Sequence, residues 1–335
     1  MGIKMTETTF YQNVKNKQEN ICQIVAAKNG RIVYGEEWNS YKPGDCVHVA
    51  SVTKSIMALL IGIAIERKYI GGTDQKILEF YPDYKVKRGE KTLQQVTVGH
   101  LLTMTTPYKF KSEPWTKVCG SNNWAETVLD LTGGRAGLTG TFRYSTLGIQ
   151  ILSDIIAKST GKSTVAFANQ YLFEPLGISP RTSLVVQSRE EHFDFVKGKT
   201  PKERVWFCGA NGIPAAGFGL CLSAEELVKI GQLCVDGGAN KKGQIVSSEW
   251  IDQMLAPHVS CGERFFHTQY GFLWWVIDAS NKVYAAIGDC GNIIYIDKSK
   301  QTVVAVTAAF QPSVPDRVAF IQKEFLPFLE KENGI

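Results

Sequence analysis

Val49-Ala50-Ser51-Val52-Thr53-Lys54-Ser55, followed at once by the apolar run Ile-Met-Ala-Leu-Leu-Ile-Gly-Ile-Ala-Ile at 56–65, decides how the rest of the chain is read. A serine and a lysine three apart at a helix start share one face, with Cβ atoms roughly 5–6 Å apart. That spacing brings a lysine amine to a serine hydroxyl, and an adjacent base is what turns a hydroxyl into a nucleophile. Unpaired N–H groups and the positive dipole end at the helix N-terminus suit a developing oxyanion. Ser/Thr-x-x-Lys is also common at ordinary helix starts, so these four residues admit a purely structural reading. Ile56, Leu59, Leu60 and Ile63 fall at i, i+3, i+4 and i+7, and the other faces are apolar as well, which marks a buried helix. Arg67, Lys68 and then Gly71-Gly72 are expected to close it.

Working outward, 335 residues with 44% hydrophobic and 21% charged content describe a globular chain, as one large domain or two ordinary ones. A net charge of +5, evenly spread, argues against a nucleic-acid surface. The basic stretches at Lys241-Lys242 and 197–202 read as solvated loops. Eight cysteines form no C-x-x-C pair and none stands at zinc-ligand spacing from a histidine, so no metal or cofactor is expected. Met1 to Lys17 has no apolar core of signal-peptide type, and 56–65 is far short of the ~20 apolar residues a membrane span needs. Scattered thiols without an export signal favour a reducing cytoplasm.

Ile24 to Ala27 and Ile32 to Tyr34, joined through Asn29-Gly30, read as a β-hairpin. From Thr73 to about Ile178 the patterns are mostly helical: 98–104, 125–131 closed by Gly133-Gly134, 145–159 with Gly148, Ile151, Leu152, Ile155 and Ile156 on one face, and 163–173. Ser223 to Val235 is an amphipathic helix with a Ser223/Glu226 capping box, and 247–255 repeats the device. After Tyr270 the runs 271–277, 283–287, 292–296 and 302–308 are strand-like, and 315–329 closes the chain as a helix. Strand-rich ends around a helical middle predict an α/β fold of the α+β type. An antiparallel sheet is drawn from both chain ends (18–50 and 200–335) and flanked by helices, with a mostly helical region inserted at 51–199, all one composite unit.

Other motifs carry two readings each. Tyr144, in Phe142-Arg143-Tyr144-Ser145-Thr146-Leu147-Gly148, is either a core anchor or a phenol beside the Ser–Lys pair. In the second case a neighbouring ammonium would lower its pKa and make it a proton shuttle. Ile287-Gly288-Asp289-Cys290-Gly291-Asn292 is either a hairpin turn or a sheet edge that presents a backbone N–H to substrate. Ile213 to Gly219 is equally open, as a glycine loop running into a helix. Thr160-Gly161-Lys162-Ser163 is not a phosphate loop, because Ile156 stands where its first glycine is required. His48, three before Ser51, reads as a structural polar residue. Trp115, Trp124, Trp206, Trp274 and Trp275 are candidates to line a pocket or to anchor the core.

Taken in order, these segments resemble the serine β-lactamase and penicillin-binding-protein-like superfamily. The nearest branch is that of class C β-lactamase-related hydrolases, esterases and 6-aminohexanoate-dimer hydrolases. Residues 49–55 look like the first box, and Thr97-Val98-Gly99-His100-Leu101-Leu102-Thr103-Met104-Thr105 resembles the family's T-x-x-H-L-L-T-M-T helix. Tyr144-Ser145-Thr146 sits where the family has Y-x-N. Ala215-Ala216-Gly217 through Glu225-Glu226-Leu227 resembles its glycine loop and following helix, and 287–292 its third box. The resemblance implies a β-lactamase/transpeptidase-like fold. It implies Ser51 as nucleophile, Lys54 and Tyr144 as the proton-transfer pair, and the N–H groups of Ser51 and Asp289 as the oxyanion hole. Thr146, Gly288, Cys290 and Gly291 would contact substrate.

Two departures bear on substrate. Thr146 replaces the asparagine of β-lactam-active relatives, and Ala286-Ile287-Gly288 lacks their leading Lys or His, the cation for a substrate carboxylate. The expectation is a metal-free, cofactor-free serine hydrolase acting on a small-molecule ester or amide through an acyl-enzyme, with neither nucleic acid nor membrane as partner. A β-lactamase or D-Ala-D-Ala peptidase proper, and a non-catalytic penicillin-binding-like scaffold, are the alternatives.

Overall fold

The computed structural model describes residues 7–186 and 188–333. Its centre is an eight-stranded antiparallel sheet: β1 (Ile21–Lys28), β2 (Arg31–Glu37), β3 (Val259–Ser260), β4 (Gln269–Tyr270), β5 (Trp275–Asp278), β6 (Val283–Gly288), β7 (Asn292–Asp297) and β8 (Thr302–Ala308). In space they run β2-β1-β8-β7-β6-β5-β4-β3, so the first hairpin lies beside the last strand. The hairpin turns through Asn29 (φ 50°) and Gly30 (φ 71°), the left-handed pair that such a turn requires.

Cross-strand register pairs Ile24 with Val306 and Val25 with Ala305. Because side chains alternate between faces, Ile24, Ala26, Ile293, Tyr295, Val304 and Val306 point to one face, against Phe10, Phe325 and Phe328 of the terminal helices. Val25, Ala27, Ile294, Ile296, Val303 and Ala305 point to the other, against the main helical core. Helices cover both faces, so the central strands are unbroken apolar runs rather than alternating ones.

The helix Val52–Glu66 is buried from Val52 through Ala64, as its all-round apolar sequence requires. It stops before Gly71-Gly72. Lys68 takes the left-handed conformation (φ 62°), and the N–H groups of Tyr69 and Ile70 both donate to Ala64 O. The expected helix from 145 begins only at Gln150, because residues 146–149 are turns tied to Glu113 through Ser145 Oγ and Leu147 N. Gly148 therefore sits outside that helix, against the Tyr108 hydroxyl. The Ser223/Glu226 capping box forms, whereas Ser247 caps Trp250 N alone. The Ile213–Gly219 loop leads first into the short strand Cys221–Leu222, which pairs with Val47–His48, and only then into the helix Ala224–Val235. The helices Glu7–Lys17 and Arg189–Lys197 were not anticipated. Among the described residues no helix is long and apolar enough to cross a membrane.

Candidate active site

Serine is a favoured helix N-cap because its hydroxyl accepts the N–H three residues on. Ser163, Ser188, Ser223 and Ser247 do this for their helices. Ser51 does not. It already has right-handed helical angles (φ −70°, ψ −5°) and makes no side-chain cap, while Thr53 Oγ1 donates to Ala50 O at 2.7 Å. The turn into the helix is made by Ala50 in the left-handed region (φ 47°), a position that costs a non-glycine residue roughly 1–2 kcal/mol. The strain leaves the Ser51 hydroxyl free of backbone duty.

That hydroxyl accepts from Lys54 Nζ at 2.7 Å. The same ammonium donates to Gly217 O at 2.8 Å and Thr146 Oγ1 at 3.1 Å, so each of its three protons has an acceptor. Lys54 is 1% exposed, and burial lowers its pKa to about 7, with Asp289 and Glu113 pulling the other way. Near neutrality a large fraction is therefore the free amine, with a lone pair for the Ser51 proton.

Tyr144 reaches the same place from the other side. Its ring lies 5.0 Å below Lys54 Nζ and stacks on Trp275 (6.0 Å, 22°). The pKa expectation is corrected: burial raises the Tyr144 pKa, hydrogen bonding to Ser51 offsets only part of that, and Asp289 and Glu113 push it higher still. Tyr144 is held as the neutral phenol rather than the phenolate.

The bend that delivers Tyr144 and Thr146 hangs on Glu113, whose carboxylate accepts from Ser145 Oγ (2.6 Å) and Leu147 N (2.9 Å). Gly217 fits because a Cβ there would stand 2.6 Å from Thr146 O. Opposite lies the end of β6. A Cβ on Gly288 would stand 2.4 Å from Val49 O and 3.0 Å from Ser51 N, so only glycine lets the strand close onto the helix start. Asp289 follows, exposed, and lines a cavity of about 550 Å³ together with Ser51, Ala50 and Thr146.

Cys290 and Gly291, expected to contact substrate, turn to the back of the strand. Cys290 O accepts from Asn20 Nδ2 (2.7 Å), Gly291 O accepts from Arg317 Nε (3.2 Å), and neither residue lines that cavity. His48 Nε2 accepts from Gly219 N (2.9 Å), the structural role expected of it, while one edge forms cavity wall. Of the five candidate tryptophans, Trp115 and Trp124 line the cavity, Trp275 backs Tyr144, and Trp206 and Trp274 are fully buried. A wider concavity of about 1020 Å³, bounded by Lys87, Arg135 and Arg143, contains none of Ser51, Lys54 or Tyr144. Among the described residues no three His, Cys, Asp or Glu side chains gather as metal ligands.

The family description Beta-lactamase matches residues 12–323. The chain belongs to the β-lactamase family. It is 23% identical over 320 residues to the 6-aminohexanoate-dimer hydrolase of Paenarthrobacter ureafaciens, covering 88% of this chain and 75% of that protein. A solved structure assigned as a 6-aminohexanoate-dimer hydrolase, from Bacillus anthracis, superposes with a TM-score of 0.75 at 15% identity, covering 97% of this chain and 82% of that one. The class C β-lactamase of Rhodobacter sphaeroides superposes at 0.66 and 15% identity, over 98% and 99% of the two chains. The β-lactamase/transpeptidase-type fold is common to them.

Sequence reasoning missed several parts of this β-lactamase-family site. Gly217 acts through a carbonyl, which has no side-chain signature. Glu113 lies 32 residues from Ser145, outside any motif. Arg317 and Asn20 come from opposite ends of the chain, and nothing local marks either.

Proposed function

We propose that the protein is a serine hydrolase that cleaves an ester or small non-peptidic amide through an acyl-enzyme on Ser51. The observation that carries this reading is the 2.7 Å contact between Lys54 Nζ and a Ser51 hydroxyl released from capping. Lys54, as the free amine, takes the Ser51 proton as Oγ attacks the carbonyl carbon. It keeps two N–H groups for Gly217 O and Thr146 Oγ1. The tetrahedral oxyanion lies between the N–H groups of Ser51 and Asp289, at the junction that Gly288 allows to close. Each such donor is worth about 3–4 kcal/mol in the transition state. Tyr144 gives its proton to the departing oxygen or nitrogen and regains one from the Lys54 ammonium. Water then attacks the acyl-enzyme, its proton passes back through Tyr144 and Lys54, and Ser51 Oγ leaves protonated.

The amide half of this reading is supported by the relative whose name is 6-aminohexanoate-dimer hydrolase. Against efficient β-lactam turnover stand Thr146 and the missing Lys or His in 286–288. A fluorophosphonate probe and a chromogenic ester test the proposal. Wild type should be labelled and active, and Ser51→Ala should lose labelling and at least about 10⁴-fold in kcat. Equal labelling and turnover in Ser51→Ala would refute it. Labelling without turnover in wild type would favour the non-catalytic scaffold, and fast nitrocefin hydrolysis would move the substrate to β-lactams.

A further inference from the structure

We infer that the acyl group of the substrate is an uncharged aromatic one, of phenylacetyl size, and that it occupies the cavity on the Thr146 side of Ser51; this rests on the hydrolase reading above. The first argument is the side on which the cavity lies. Tyr144 must face the leaving group to protonate it, and its ring is packed with Trp275, Phe142 and Tyr270. The 550 Å³ cavity opens from Ser51 past Thr146 and Asp289, and Tyr144 is not among its walls. With the leaving group on the tyrosine side, the cavity is left for the acyl half.

The second argument is what the walls are made of. Trp115 meets Phe218 edge-on at 5.6 Å, Trp124 stacks on Phe218 (6.4 Å, 17°), and His192 also stacks on Phe218 (5.6 Å, 10°) and meets Phe207 at 5.0 Å. These five rings come from five separate segments and form one continuous aromatic lining. Rings prefer stacked or edge-on ring partners, so a flat apolar group is what such a lining holds best. An engineered cavity of about 150 Å³ takes one benzene molecule, so a ring with its linker fits here and an acetyl group leaves most of the space unfilled.

The third argument is charge. His48 and His192 both have pKa values lowered by burial, His48 to about 3, so the two imidazoles in the wall are neutral at pH 7. The charged lining residues, Arg189 and Asp289, are solvent-exposed, and Arg189 lies over the Phe193 ring at 5.1 Å. Among the described lining residues no cation lies inside, away from solvent, to hold a carboxylate. Finally, Trp115 (39% exposed) and Phe193 (43% exposed) leave an uncovered apolar lip at this same mouth. Two exposed aromatic side chains at the mouth give an apolar group a place to enter.

The test compares 4-nitrophenyl acetate, 4-nitrophenyl phenylacetate and its ring-carboxylated analogue on the full chain. One leaving group is common to all three, so differences report the acyl side. The neutral phenylacetyl ester should exceed the acetyl ester by about 10-fold or more in kcat/KM, the range that apolar pocket contacts supply. The carboxylated analogue should fall back to the acetyl level or below. Trp115→Ala should shrink the phenylacetyl-to-acetyl ratio by about 10-fold, and Phe193→Ser, at an exposed position, gives a second variant should the first fold poorly. Acetyl preferred or equal, the charged analogue as good as the neutral one, or a ratio unmoved in both variants would overturn the inference. If acetyl turnover still depends on Ser51, the acyl assignment alone falls; if no ester is cleaved and Ser51 is not labelled, the hydrolase reading falls with it.

Discussion

Ser51 is chemically ordinary and locally unusual: it stands at a helix start yet makes no side-chain cap, and a lysine with almost no solvent contact takes its hydroxyl. The lowered Lys54 pKa sets a pH signature. The base form is the deprotonated one, so kcat/KM should rise with pH through a midpoint near 7. A pH–rate profile flat from 5 to 9 would contradict a lysine base. The same shift means that the buried ammonium opposes folding below about pH 7, a cost relieved as pH climbs toward the ordinary lysine value of 10.5. Tyr144, a neutral phenol, matters most when the leaving group is poor. Tyr144→Phe should cost about 10²–10⁴-fold with an alkyl ester and clearly less with a 4-nitrophenyl ester, which departs without protonation. Matched kinetics on the two esters check this, and equal losses would remove the acid role. Ser51 and Lys54 were legible because their relation is local, three residues on one helix face. Tyr144 was legible only through the order of motifs, and its pKa direction was misjudged because burial of the whole site cannot be read from spacing.

At the scale of elements, the site is a junction between a helix start and a strand end, and Gly288 fixes how closely they approach. Its φ of −118° is available to any residue, so the constraint is purely steric. Gly288→Ala should lower stability by about 1–3 kcal/mol and depress kcat more than it raises KM, because the strand carrying Asp289 must move away from Ser51. Thermal denaturation beside steady-state kinetics reads both, and an unchanged kcat would place the oxyanion donor elsewhere. Behind that turn Arg317 donates to Gly291 O, Asn20 Oδ1 and Gln18 Oε1, and Asn292 Nδ2 donates to Asp289 O. The hairpin, the capping box and most strands were visible in the sequence, since each follows from local pattern. The ends of the helices at 66 and 150 were not. Those boundaries are set by a left-handed lysine and by Glu113, and neither belongs to a periodic pattern.

At the scale of the molecule, the two chain ends close one face of the sheet whose other face supports the site. Phe10 stacks on Phe328 at 4.1 Å and 6°, with Phe325 at 5.7 Å, over Tyr34 and the outer side chains of β1 and β8. Phe10→Ala should destabilise the protein by about 3–5 kcal/mol, measured by denaturant unfolding, with little change in kcat below the transition. A loss under 1 kcal/mol would mean that the N-terminal helix adds little to the core. That helix escaped sequence reading because, among its described side chains, the buried stripe is just Phe10 and Val14, and a short helix of this kind owes its existence to packing rather than propensity. The aromatic cavity was legible only in part, as Trp115 and Trp124 among the pocket-or-core candidates, for a related reason. Its rings lie on segments distant in sequence, and only the closed fold gathers them.

The most direct test is intact-mass spectrometry of the protein quenched within milliseconds of mixing with 4-nitrophenyl phenylacetate, followed by peptide mapping. A transient mass increase equal to one phenylacetyl group, mapped to Ser51 and absent from Ser51→Ala, is the predicted result. Ester turnover that persists in Ser51→Ala, with no adduct on wild type at any time, would contradict it.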